Sequence, residues 1–133
     1  MAEPVFPAEL RVPSRVLFGP GVLRHLGEVA GAFGKRALLV TGSASVRRGG
    51  TLGKIEAVLQ SHGVASVHVT VRHEPDVESV DKASAMGRSA GCDFVIAVGG
   101  GSVIDLAKSA AGMIPNEGSL LDYLEGVGTG KTM

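Results

Sequence analysis

Hydrophobic positions in this chain fall into short unbroken runs separated by longer stretches with helical spacing. Ala37-Leu38-Leu39-Val40 is continuous and ends in Thr41-Gly42-Ser43. Such a run is the pattern of a strand covered on both faces. Phe94-Val95-Ile96-Ala97-Val98 is a second one, and it ends in Gly99-Gly100-Gly101-Ser102. Residues 64–71 alternate apolar and polar side chains, which predicts a strand nearer a sheet edge. Arg15-Val16-Leu17-Phe18 predicts a further short strand, closed by Gly19-Pro20-Gly21. Leu23, Leu26, Val29, Ala30 and Phe33 recur at helical spacing and predict a helix over 22–33, with Gly34 in the place of a C-cap glycine. Leu52, Ile55, Val58 and Leu59 predict a helix over 51–62 with Gly63 as its stop. Glu74-Pro75 breaks the pattern, Asp76 then suits the N-cap of a helix over 77–90, and Gly91 ends it. The periodicity of 103–113 predicts a helix opening just after the glycines, and 119–124 a short one after the turn at 115–118.

Strands alternating with helices of ten or more residues imply an α/β fold, a parallel Rossmann-like sheet with flanking helices and right-handed crossovers. The predicted organisation is an extended, proline-bearing arm over 1–13, an α/β domain over 14–126, and a glycine-rich linker over 127–133. Composition supports this class. The 133 residues suit one modest core, and 44% apolar residues with only 4% aromatics favour small-residue packing in a parallel sheet over a β-sandwich. Thirteen basic and thirteen acidic residues balance, so no basic stripe calls for nucleic acid. One cysteine, Cys92, builds neither a disulfide framework nor a thiolate cluster. Apolar runs are too short for a membrane span, and residues 1–7 have no signal-peptide pattern, so the expected location is cytoplasmic.

The candidate chemistry lies at the second run. A strand, three glycines, a serine and a helix form an anion cradle: the glycines let backbone approach a phosphate, and the first helix amides point at it. Ser102 can donate to a phosphate oxygen. It can equally cap the helix, and Asp105 three residues on has capping-box spacing, so a purely structural turn is the competing reading. Lys108, one turn later, can counter a pyrophosphate or pair with Asp105 in solvent. The turn is not GxGxxG, so the ordinary dinucleotide fingerprint is absent.

These residues resemble a known family. Gly99-Gly100-Gly101-Ser102-Val103-Ile104-Asp105-Leu106-Ala107-Lys108 is similar to the GGGSxxDxAK signature of the iron-containing (group III) alcohol dehydrogenases. Arg15-Val16-Leu17-Phe18-Gly19-Pro20-Gly21, Ala37-Leu38-Leu39-Val40-Thr41, Glu74-Pro75-Asp76 and Tyr123-Leu124-Glu125-Gly126 match that family's segments in order. Dehydroquinate synthases carry a Gly-Asp pair after their glycine turn, glycerol dehydrogenases tend to have Lys in place of Ser102, and maleylacetate reductases tend to lack the acid at Asp105.

The resemblance implies an NAD(P)-dependent oxidoreductase acting on a small alcohol or aldehyde. Gly100, Gly101 and Ser102 would hold the cofactor pyrophosphate, Gly99 would shape the turn, and Asp105 would lie towards the nicotinamide and its ribose. Gly42, after the second predicted strand, would meet the adenine ribose. Many NAD-preferring members carry an acid there. Its absence, with Arg47 and Arg48 nearby, leaves NADP open as cofactor beside NAD. The resemblance also implies a helical second domain with an Asp and three His for divalent iron or zinc. Residues 1–133 do not include it, so the expectation is the cofactor-binding half, inactive alone, with a homodimer as the assembly to test. Alternatives are a polyol or glycerol-phosphate dehydrogenase of the same superfamily, and a non-catalytic nucleotide-binding module. His25, His62, His68 and His73 lack metal-ligand spacing. Gly126-Val127-Gly128-Thr129-Gly130-Lys131-Thr132 has P-loop residues but is one residue short of the spacing.

Overall fold

The apolar runs become three parallel strands. A computed structural model describes residues 15–43, 46 and 48–133. Strand β1 (Arg36–Gly42) lies between β2 (Ala65–Val71) and β3 (Phe94–Val98), in the order β2-β1-β3. In register, Leu39 faces His68 on one side and Ile96 on the other. The central position explains the unbroken run at 37–40, where Ala37, Leu38, Leu39 and Val40 are all fully buried. The second run, expected to be covered on both faces, instead forms the other edge strand, half-buried with Ala97 exposed. The alternating strand, β2, is an edge strand as its pattern predicts.

Successive β1 side chains enter two different cores, as the two-residue strand period requires. Leu38 and Val40 pack with Val80 and Ala83 of α3 (Val77–Ser89) and with Leu106, Ala110 and Met113 of α4 (Gly101–Met113). Ala37 and Leu39 pack on the opposite face with Ala30 of α1 (Leu26–Gly31) and Ile55 and Leu59 of α2 (Thr51–Ser61). The sheet is therefore the middle of three layers. Small residues set the layer spacing. A side chain at Gly87 would come within 2.7 Å of Ile114, so that glycine lets α3 approach its neighbours.

Helix ends follow local chemistry. Gly63 and Gly91 adopt φ of 73° and 67° just after α2 and α3, a left-handed conformation that costs glycine little. The Asp76 side chain accepts from the Ser79 amide at 2.7 Å, and the Asp76 amide donates to Ser79 Oγ at 2.9 Å, a reciprocal cap on α3. These Ser79 contacts hold the Asp76 carboxyl below its ordinary range. At the other end of α4, Arg88 donates to the carbonyls of Met113, Ile114 and Asn116 at 2.8, 3.0 and 2.6 Å. Asp81 accepts from the Ser119 hydroxyl and the Leu120 amide, tying the short 3-10 turn Leu120–Tyr123 to α3.

Three expectations change. Residues 15–18 form no strand: a strand needs a hydrogen-bonded neighbour, the described sheet supplies none, and Phe18 is fully exposed. The predicted fourth strand is accordingly the third. The helix over 22–33 is two pieces, a 3-10 turn at Val22–His25 and then α1. Gly27 and Gly31 weaken so short a helix. Gly34 is not a cap either, because α1 ends at Gly31 with Ala32 as its C-cap. A side chain at Gly34 would overlap Asp93 Cβ at 2.6 Å and its carboxylate at 2.7 to 2.9 Å. That carboxylate accepts from the Lys35 and Arg36 amides at 2.7 and 3.0 Å, which hold it below the usual range. The predicted arm over 1–13 lies outside the described residues. Residues 127–133 form no helix or strand.

Candidate functional site

Parallel strands bring all their carboxyl ends to one edge of the sheet. From β1 the chain moves to β2 on one side and then returns past β1 to β3 on the other, and such a reversal opens a crevice at that edge. A cleft of about 410 Å³ lies there. Its lining joins Gly42 at the end of β1 and Ser43 just after it, the segment from Val71 to Glu74 at the end of β2, and Gly100, Gly101, Ser102 and Val103 at the turn and start of α4. Four of the six sequence-derived cofactor residues, Gly42, Gly100, Gly101 and Ser102, thus share one cleft.

The three glycines of the turn do different jobs. A Cβ on Gly99 would lie 2.6 Å from Val103 Cγ2 and 2.9 Å from its Cβ, so Gly99 is needed for the turn to close on α4. A Cβ on Gly100 or on Gly101 would meet no atom within 4 Å. Gly100 has φ −84°, which any residue adopts, and Gly101 is already helical. Packing and backbone conformation therefore demand glycine at neither position. Glycine in a helix costs roughly 0.5–1 kcal/mol relative to alanine, so open space over the backbone is what the two have in common.

The terminus they expose is uncapped. Gly100 is the N-cap of α4, and among the described residues no side chain accepts from the helix's first amides. The first intrahelical bond runs from the Ile104 amide to the Gly100 carbonyl at 3.1 Å. The amides before it have no intrahelical partner and carry the positive end of the helix dipole. The expected cap and capping box at Ser102 and Asp105 do not form, because the helix begins two residues before that reading requires. Ser102 sits in the first turn, and its hydroxyl donates to Glu74 Oε1 at 2.7 Å. Asp105 is exposed further along α4 and outside the cleft lining. Lys108 is exposed too, and forms no ion pair with Asp105.

The sequence profile described as iron-containing alcohol dehydrogenase matches residues 13–133. The chain belongs to that family. It is 36% identical over 112 residues to the probable NADH-dependent butanol dehydrogenase 2 of Bacillus subtilis, covering 83% of this chain and 28% of that protein. The NADH-dependent butanol dehydrogenase A of Thermotoga maritima superposes with a TM-score of 0.79 at 29% identity, over 87% of this chain and 30% of the other. The sulfoacetaldehyde reductase of Bifidobacterium kashiwanohense, solved with NAD+, superposes at 0.72 and 29% identity, over 86% and 30%. The chain thus spans less than a third of the length of these relatives.

Within this iron-containing alcohol dehydrogenase chain, the described residues bring no three His, Cys, Asp or Glu side chains together, so they offer no donor set for a metal. Each histidine is engaged locally. His68 bonds the buried Thr41 hydroxyl at 2.7 Å, His73 donates to the Glu74 carbonyl at 2.8 Å, His62 lies over Gly27, and His25 is beside Glu28 at 4.0 Å. Burial pushes the half-buried Cys92 thiol up, as expected of a small core residue and not of a nucleophile. The P-loop look-alike turns inward on Asp122. The Thr129 and Lys131 amides donate to the Asp122 carbonyl at 3.1 and 3.3 Å, and Lys131 Nζ is 3.1 Å from its carboxylate. No helix among the described residues is long and apolar enough to cross a membrane.

Sequence reasoning did not select Arg72, His73 or Glu74 for the cleft. The available signal is positional: a strand ending at Val71 in a parallel sheet must end at the same edge as the glycine turn, though only the strand order sets how near. Arg48 is exposed and absent from the cleft lining, and Arg47 lies outside the described residues.

Proposed function

We propose that this chain binds a nicotinamide dinucleotide through the glycine turn and forms the cofactor half of an alcohol or aldehyde oxidoreductase of the iron-containing type. The observation that carries this reading is the pair Gly100 and Gly101, which the fold does not require and which lie open at an uncapped helix start. An anionic pyrophosphate is the group such a terminus attracts. The NADH-dependent names of the relatives and the NAD+-bound reductase support the same choice of cofactor.

In this reading the amides of Gly100, Gly101 and Ser102 hold the pyrophosphate, the Ser102 hydroxyl adds one further bond, and Gly99 fixes the turn through its contact with Val103. Gly42 leaves the end of β1 without a carboxylate. With Arg72 lining the same cleft, that favours acceptance of the 2′-phosphate of NADP alongside NAD. Asp105 is assigned to the nicotinamide side. Hydride exchange with an alcohol or aldehyde carbon is the chemistry a bound nicotinamide supplies. The described residues offer a metal no donor set.

Titration of the purified chain with NADH and NADPH, followed by nicotinamide fluorescence, tests the reading. Saturable binding that Gly101→Asp removes is expected. Absence of binding to both cofactors, or binding that survives the substitution, overturns it.

A further inference from the structure

The Ser102 hydroxyl of the cradle is engaged by a carboxylate of the chain itself. Ser102 has a single hydroxyl proton, and it is donated to Glu74 Oε1 at 2.7 Å. Glu74 arrives from the end of β2, 28 residues away in sequence, and lines the same cleft as Gly100 and Gly101. Glu74 takes part in no salt bridge among the described residues. Its carboxylate is thus held by the hydroxyl that a bound phosphate would need.

We propose that Glu74 is a built-in competitor for the phosphate subsite, a carboxylate that occupies the Ser102 hydroxyl until a dinucleotide displaces it. This rests on the cofactor reading above. One hydroxyl proton cannot serve Glu74 and a phosphate oxygen at once, so binding must break the Ser102–Glu74 bond. Two anions would then stand side by side at one helix start unless the Glu74 side chain swings out. Its exposure leaves room for that movement. The carboxylate thus sets the affinity for phosphate-bearing ligands and has no part in recognising the adenosine.

The test compares NADH, ADP and adenosine binding to the intact chain and to Glu74→Gln, which keeps the side-chain shape and removes the charge. The competitor role predicts that NADH and ADP bind about fivefold tighter to the variant, the size expected for relieving one partly solvated like-charge contact. Adenosine binding should not change, and Glu74→Ala should shift ADP in the same direction. Weaker NADH binding to Glu74→Gln would make Glu74 a cofactor ligand and overturn the proposal. So would equal affinities, or an equal change for adenosine, which would indicate a reshaped cleft. If the wild-type chain binds no NADH, the cofactor reading itself falls and the proposal with it, an outcome separate from the others.

Discussion

Helices α3 and α4 are alike in most respects and opposite at their first turns. Each has thirteen residues, each follows a strand of the same sheet, and each starts at the strands' carboxyl edge. Their dipoles present the same partial charge there. The chain closes α3 with its own atoms, through the reciprocal bonds of Asp76 and Ser79. At α4 it places Gly100 where Asp76 would be, leaves the first amides uncapped, and lends the Ser102 hydroxyl to Glu74 from another strand. Sequences readily complete helix starts, and this one does so 24 residues earlier. Helix α2 also starts at a glycine with no side-chain cap, so an incomplete start alone marks nothing. At α4 it coincides with the cleft and the open backbone of Gly100 and Gly101, and that coincidence supports the proposed phosphate site.

The largest expected effect comes from making α4 resemble α3. Gly100→Asp adds a cap residue where a Cβ meets nothing and φ is ordinary. Stability should hold or rise by a few tenths of a kcal/mol, while NADH affinity falls about 100-fold as the new carboxylate takes the phosphate's place. Calorimetry and cofactor titration on one preparation check both halves. Lost stability with retained binding would break the comparison.

Gly99 sharpens it from the other side. Gly99→Val drives a side chain into Val103 and should cost about 1–3 kcal/mol in denaturant unfolding, the usual range for overpacking. Adjacent glycines should thus separate cleanly, one failing in stability and the next in binding.

Smaller still is Asp76→Ala, which opens α3. It should lower Tm by a few degrees, as loss of one cap does, and leave NADH affinity unchanged. The pH dependence follows from the depressed Asp76 carboxyl. A folded-state value below the unfolded 3.8 adds stability that is complete above 3.8 and is lost as pH falls through the folded value. The Tm gap between wild type and Asp76→Ala should therefore be constant near neutral pH and narrow below about pH 4.

Much of this contrast is legible in the sequence. The unbroken run at 37–40 marked the central strand, the alternation at 64–71 marked an edge, and Asp76 and Gly91 marked the two limits of α3. Local patterns sufficed there because the forces involved are local. The competing reading of Ser102 as a cap fails for an equally local reason. Its residue type and the spacing to Asp105 suit a capping box, but the helix had already begun at Gly101, so the hydroxyl was left free for a distant partner. Glu74 reaches it only through the strand order, and periodicity carries no information about strand order. Gly34 looked like a helix stop, yet it serves Asp93, 59 positions further along the chain. Residues 15–18 have strand composition, but composition cannot provide a neighbour to pair with.

The most direct measurement follows backbone amide shifts during titration of the chain with NADH. The account predicts that the largest changes fall on Gly100, Gly101, Ser102 and Val103, with smaller ones near Gly42 and almost none at Asp76–Ser79. Saturating changes centred on the start of α3, or spread evenly over both helix starts, would contradict it.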